Sequence, residues 1–316
     1  MTGLKGGVVR RLLGTTVLLV LLAVGCAGSK TSTRAGESAK PISGPTITIG
    51  SANFTESIIL ESIYAQALEA KGYHVAERPN IGAREVYFRA LESGAINFFP
   101  EYIGSALNFL TKQTDAAKPD PKETFALLMD QLKKVHLTAV ALSPAADQDG
   151  VVVNKQTATK YNLKKVGDLK AVGSQLTFGG PPECPTRISC LKGLEQVYGI
   201  HFKSFKSLDV GGPLTVQALK SNGVQVADLF TTDARIAAEG FVVLEQDKPI
   251  VGAENVAPIV RDEIVDAYGK KFTDFVAGIT VRLSTSGLTE LNKLVDIDKQ
   301  DAKTVAARWL RENGFV

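Results

Sequence analysis

The sequence predicts two α/β domains joined by two chain crossings, with a cleft between them. Three observations lead there. Residues 46–99 alternate strand and helix patterns in the order βαβαβ, the rhythm of a largely parallel sheet covered by helices. A polar loop, 143–150, separates that unit from a second set of strands and helices that begins at Val151. The run Val242-Val243-Leu244 then begins a return, and the C-terminal third reads as helical. Two domains linked twice can hinge and close on a small ligand.

Each element has its own signal. Thr46-Ile47-Thr48-Ile49 alternates at period two and is a strand. After the turn Gly50–Asn53, Asn53 and Glu56 stand at the spacing of a capping box. Ile59, Ile63, Tyr64, Ala67 and Leu68 follow at helical spacing, and Gly72 supplies the stop. A strand at 73–77, a helix at 84–93 and a strand at 95–99 complete the first rhythm. A helix over 121–134 leads into a strand at 137–142. The second domain holds the segment 163–169, a strand near 175–178, helices over 191–198 and 213–221, and an apolar strand at 226–230. Helices at 286–295 and 302–313 close the chain, with Trp309 in register with Val305 and Leu310, a core position. The expected lobes are 46–143 with 248–316, and 144–247.

The N-terminus is a targeting signal. Lys5, Arg10 and Arg11 precede an apolar stretch, 12–24, that ends in small residues before Cys26. The stretch falls short of the ~20 residues that span a bilayer. Leu22-Ala23-Val24-Gly25-Cys26 resembles a lipoprotein lipobox, which implies cleavage after residue 25 and a lipid on the Cys26 thiol; a plain signal peptide or a membrane anchor is the alternative. Residues 26–45 are small and polar, and read as a flexible tether.

Charge and motifs exclude several functions. Three of the 36 basic residues lie in the leader, so the rest balances the 33 acidic ones and no basic face for nucleic acid is expected. Cys184 and Cys190, six apart, can close a small disulfide loop or remain free thiols. His74, His136 and His201 are too scattered for a metal site. No nucleophile elbow, P-loop, dinucleotide fingerprint or zincin motif is present. The expectation is a protein with no cofactor and no catalysis. Gly211-Gly212-Pro213 opens a helix and can offer backbone N–H groups to an anion.

Five runs in order carry a family resemblance: Gly50-Ser51-Ala52-Asn53-Phe54-Thr55-Glu56-Ser57, Ile63-Tyr64-Ala65-Gln66, Pro100-Glu101-Tyr102-Ile103-Gly104, Phe230-Thr231-Thr232-Asp233-Ala234-Arg235 and Val256-Ala257-Pro258. Over nearly all of 46–316 the chain resembles the substrate-binding proteins of osmoprotectant ABC importers, which take up glycine betaine, choline, carnitine and related compounds. The resemblance implies a two-domain periplasmic-binding-protein fold with two crossovers, a monomer that holds a small solute between its lobes, and a membrane permease as partner. It also implies a cage of tyrosines around a quaternary ammonium, attracted by the ring faces. Tyr102 matches one cage tyrosine, Ser105 a hydroxyl that helps bind a carboxylate tail, and Arg187 an arginine that pairs with that tail. Asn53 lies in the first matching run and is a further candidate contact.

The other cage positions depart from the pattern. Asp149 stands where one tyrosine is usual, Glu254 where another is, and Val216 near a third. A carboxylate bonds an ammonium that keeps N–H donors more strongly than a shielded trimethylammonium. Asp149 and Glu254 therefore point to a different or broader solute than betaine, a polyamine-like one included. Arg84 either meets the ligand or pairs with Glu85 or Glu101; Asp233 is a hinge or ligand contact.

Overall fold

A computed structural model describes residues 40–113, 115–250 and 252–316. The leader, Cys26 and most of the expected tether lie outside the described residues. The chain begins with β1 (Ile47–Gly50), α1 (Thr55–Ala70), β2 (Val75–Arg78), α2 (Arg84–Ser93), β3 (Phe98–Tyr102), α3 (Ile103–Thr111), α4 (Pro121–Leu132) and β4 (Leu137–Ala139). It crosses into β5 (Asp149–Val153), α5 (Lys155–Tyr161), β6 (Thr177–Gly180), α6 (Leu191–Tyr198), β7 (Ser204–Ser207), α7 (Pro213–Lys220), β8 (Val226–Phe230), α8 (Arg235–Ala238) and β9 (Val242–Val243). It returns through β10 (Val256–Arg261) to α9 (Asp262–Thr280), α10 (Thr285–Asp296) and α11 (Ala302–Glu312).

Two five-stranded sheets result, ordered β2-β1-β3-β10-β4 and β7-β6-β8-β5-β9. Both are mixed rather than largely parallel. β10 comes back from the second lobe and runs antiparallel between β3 and β4, and β5 runs antiparallel to β8 and β9. The βαβ units on the other side of each sheet do pair in parallel. Val242 and Val243 do not begin the return; they ladder on β5 as the edge of the second sheet. Ile250 still packs in the second core.

The two crossing segments lie side by side. Ala146 bridges Asn255 antiparallel, and Asp147 N–H donates to Glu254 O at 3.1 Å. This short ribbon joins the two sheets. Thr285, at the start of α10, braces it through Ala146 N at 3.0 Å.

Differences from the expected element bounds have local causes. Asn97 turns its side chain onto Thr48 N–H and Thr46 O, so β3 starts after it and ends on Tyr102. Residues 42–45, expected to be tether, are docked: Ile42 N–H donates to Gly72 O and Tyr268 OH to Pro45 O. α1 buries Ile59, Leu60, Ile63, Tyr64, Ala67 and Leu68 completely against the C-terminal helices. Trp309 lies in the same core and stacks on Phe315.

The helix entry at Gly211-Gly212-Pro213 is closed to a foreign anion. The Asp209 carboxylate accepts from Leu214 N, Thr215 N and Thr215 Oγ1 at 2.7–2.9 Å and caps α7. Asp209→Ala is expected to lower unfolding free energy by about 1–2 kcal/mol, as a lost cap does. A urea melt with unchanged slope would register it; an unchanged midpoint would mean that water replaces the cap.

Candidate functional site

The cleft lies between the sheets, at the ends of β3, β5 and β8. About 770 Å³ of empty space lies within it, open solvent at the mouth included. Strand periodicity aims its walls. β5 and β8 pair Asp149 with Phe230 and Val151 with Asp228, so Asp149, Asp228 and Phe230 share one face. The other face of the same strands, with Val152, Ala227 and Leu229, packs under α7.

Aromatic rings form one part of the wall. Phe54 from the α1 entry meets Phe230 at 4.7 Å between centroids and Tyr102 at 6.1 Å. Tyr87 on α2 stacks on Phe99 at 3.9 Å. Phe54, Tyr87, Phe99, Tyr102 and Phe230 all line the cleft.

Carboxylates form the rest. Asp147, Asp149, Glu183, Asp228 and Glu254 line the same space, against two arginines, Arg84 and Arg187. Both arginines are already paired, Arg84 with Glu101 at 3.0 Å and Arg187 with Glu85 at 2.8 Å. The cleft therefore holds more acidic side chains than unpaired basic ones. Glu254, 3 % exposed, is pushed up to about 8 by burial, against the pull of Ser105 N–H and Arg84. Burial also raises Asp149, with Ser189, Arg84 and Arg187 pulling it back. Asp147 and Asp228 are held well above the usual carboxylate range, by burial first and then by neighbouring acids.

The residues anticipated from sequence come together here. Tyr102, Ser105, Asp149, Arg187, Glu254 and Asn53 all line the cleft. Asp149 and Glu254 point inward, not to solvent. Ser105 gives its backbone N–H and hydroxyl to Glu254 at 3.0 and 2.9 Å, so its hydroxyl serves that carboxylate. Gly104 makes this possible, because a Cβ there would lie 2.6 Å from Ala253 O. Arg187 sits in a loop closed by the Cys184–Cys190 disulfide, and its Nε is buried with no partner. Asn53 is exposed at the mouth and caps nothing.

The capping box is overturned. Glu56 is 3 % exposed and its carboxylate accepts from Tyr102 OH at 2.7 Å, Thr232 Oγ1 at 2.6 Å and Asn292 Nδ2 at 2.7 Å. Three inward donors hold it away from the helix start. It ties α1, β3, α10 and the end of β8 together behind the cleft. Val216 packs in the second core rather than in the cleft, and Asp233 pairs with Arg235. Sequence reading missed Tyr87, Phe54, Phe230 and Asp228. Asp228 had a signal, a lone acid at the centre of an otherwise apolar strand.

The chain is similar to known proteins in sequence and fold. The family described as "Substrate binding domain of ABC-type glycine betaine transport system" matches residues 45–312. The chain is 30 % identical over 292 residues to a glycine-betaine-binding protein of Pseudomonas aeruginosa, covering 85 % of this chain and 88 % of that one. It is 25 % identical over 279 residues to the glycine betaine-binding protein YehZ of Escherichia coli K12, covering 85 % and 91 %. A solved glycine betaine/carnitine/choline ABC transporter structure, 24 % identical, superposes with a TM-score of 0.68 over 86 % of this chain and 99 % of that one. With two sheets crossed twice by the chain, a cleft between them and a family match over most of its length, this chain belongs to the substrate-binding domains of ABC-type glycine betaine transport systems.

Proposed function

We propose that this chain captures a small organic cation of the osmoprotectant class and delivers it to the membrane permease of an ABC importer. It does no chemistry of its own. The observation that carries the reading is the cleft, five aromatic side chains and five carboxylates around one space. Ring faces attract a cation by up to about 2 kcal/mol per desolvated contact, and the carboxylates add charge. The relatives named above bind glycine betaine by their names, which makes glycine betaine, choline and carnitine the first solutes to try. Because carboxylates stand at cage positions, a polyamine-like or aromatic cation is the second group.

In this reading Cys26 carries a lipid that holds a monomer at the extracytoplasmic face of the membrane, beside its permease. No helix among the described residues is long and apolar enough to cross a membrane.

A thermal-shift panel of these solutes tests the reading. At 100 times Kd, a bound solute stabilises by about 2.7 kcal/mol. Phe54→Ala removes a ring that meets both Phe230 and Tyr102, and is expected to weaken binding about 5- to 30-fold. A panel that leaves the melting temperature unmoved would remove the reading.

A further inference from the structure

We propose that Asp228 anchors a subsite selecting an organic cation that still carries N–H donors, such as a primary ammonium or a guanidinium, over a fully methylated one. The inference deepens the solute-binding reading and rests on it.

Asp228 is 7 % exposed, at the middle of β8, on the face that lines the cleft. Among the described residues no hydrogen-bond donor reaches its carboxylate. The charged groups that act on it are acids only: Asp149 from β5, Glu183 from the cysteine loop and Asp147 from the crossing ribbon. Gly180 backs it on β6; a Cβ there would stand 3.3 Å from Asp228 Cβ and 3.4 Å from Cys184 Sγ. The absence of a side chain at 180 thus leaves room between Asp228 Cβ and Cys184. The Asp228 oxygens are not sealed in the protein but open onto the cleft, so the donors they lack come from whatever fills that space.

A metal ion does not fit. Among the described residues no three acids, histidines or cysteines converge to hold one. The acids are spread along the wall, which suits an organic cation with several N–H groups. Each N–H makes a short charge-assisted bond to a carboxylate, whereas a trimethylammonium offers none and keeps its charge behind methyl groups. Phe230, two residues along the same strand face, supplies a ring surface beside the site. Burial and the neighbouring acids raise Asp228 well above the usual carboxylate range, so a bound cation, which favours the ionised form, releases protons and binding strengthens as pH rises.

Calorimetry on the full chain with ethanolamine, agmatine and choline tests this; ethanolamine and choline differ only in N-methylation. At pH 8, ethanolamine or agmatine is expected to bind at least about tenfold tighter than choline, with a heat that scales with the buffer's ionisation enthalpy as protons leave. Asp228→Asn is expected to erase that preference, weakening ethanolamine or agmatine at least about tenfold more than it weakens choline. Should the variant fold poorly, the wild-type methylation series and buffer dependence decide. Choline or betaine binding with no N–H preference, no proton release or no response to Asp228→Asn overturns the inference and leaves solute binding standing. No saturable binding of any of these cations overturns both.

Discussion

Glu56→Ala is expected to cost about 3–5 kcal/mol of stability and to abolish tight solute binding. The substitution strands Tyr102 OH, Thr232 Oγ1 and Asn292 Nδ2 in a buried site. Each stranded donor costs about 1–3 kcal/mol, partly recovered by relaxation and water entry. The same carboxylate links both lobes, since Thr232 lies just after β8 of the second while Tyr102 and Asn292 belong to the first. Without it Tyr102 loses the bond that fixes its ring at the cleft wall. Glu56→Gln, which keeps the shape, should cost less. Denaturant melts give the first effect and calorimetry the second; a variant of wild-type stability would mean that the three donors find other partners.

The second large effect concerns pH. The unliganded protein should lose stability as pH rises from 5 to 8. Glu254 is raised from 4.5 to about 8 by burial, and Glu61 to about 7, again by burial first. For a carboxyl group whose folded pKa lies above its unfolded one, the folded state holds the extra proton between the two values. Its contribution is complete below about 4.5 and is lost as pH climbs through the folded value. For Glu254 alone this amounts to something on the order of 4 kcal/mol; Asp149 and Asp228 act in the same direction. Melting temperatures at pH 5 and pH 8 should differ by at least about 5 °C. A saturating cation should narrow the gap, because it stabilises the ionised cleft. A flat or rising profile would show that the cleft acids are already ionised and compensated. Asp168 and Asp247, lowered from 3.8, lose their contribution only in stronger acid and leave this window untouched.

Local patterns made much of the fold legible. α2 matched its expected bounds because its apolar spacing and the Gly94 stop are purely local. The two-lobe division was visible as a polar break before Val151. The sense of β10 was not, because a strand's direction in a sheet depends on where the chain has come from. α3 was missed because Ile103–Thr111 follows β3 without any intervening turn signal.

The site was half legible. Tyr102, Arg187 and Ser105, named from the motif resemblance, line the cleft, as do Asp149 and Glu254. Glu56 was misread because its spacing from Asn53 fits a local cap, while its actual partners lie 46, 176 and 236 residues away. Tyr87 escaped because nothing local marks a helical tyrosine as stacking on Phe99 across to β3. Val216, which the resemblance sets near a third usual tyrosine, packs with Val152, Ala227 and Leu229 on the far face of the second sheet.

The central claim is that this cleft holds one organic cation between the two lobes. Isothermal titration of the purified chain with glycine betaine, choline, carnitine and agmatine tests it most directly. The account predicts saturable one-to-one binding of at least one of them, lost when Tyr102 is changed to Ala. Absence of saturable heat for all four at millimolar concentration, or binding that ignores Tyr102→Ala, would contradict it.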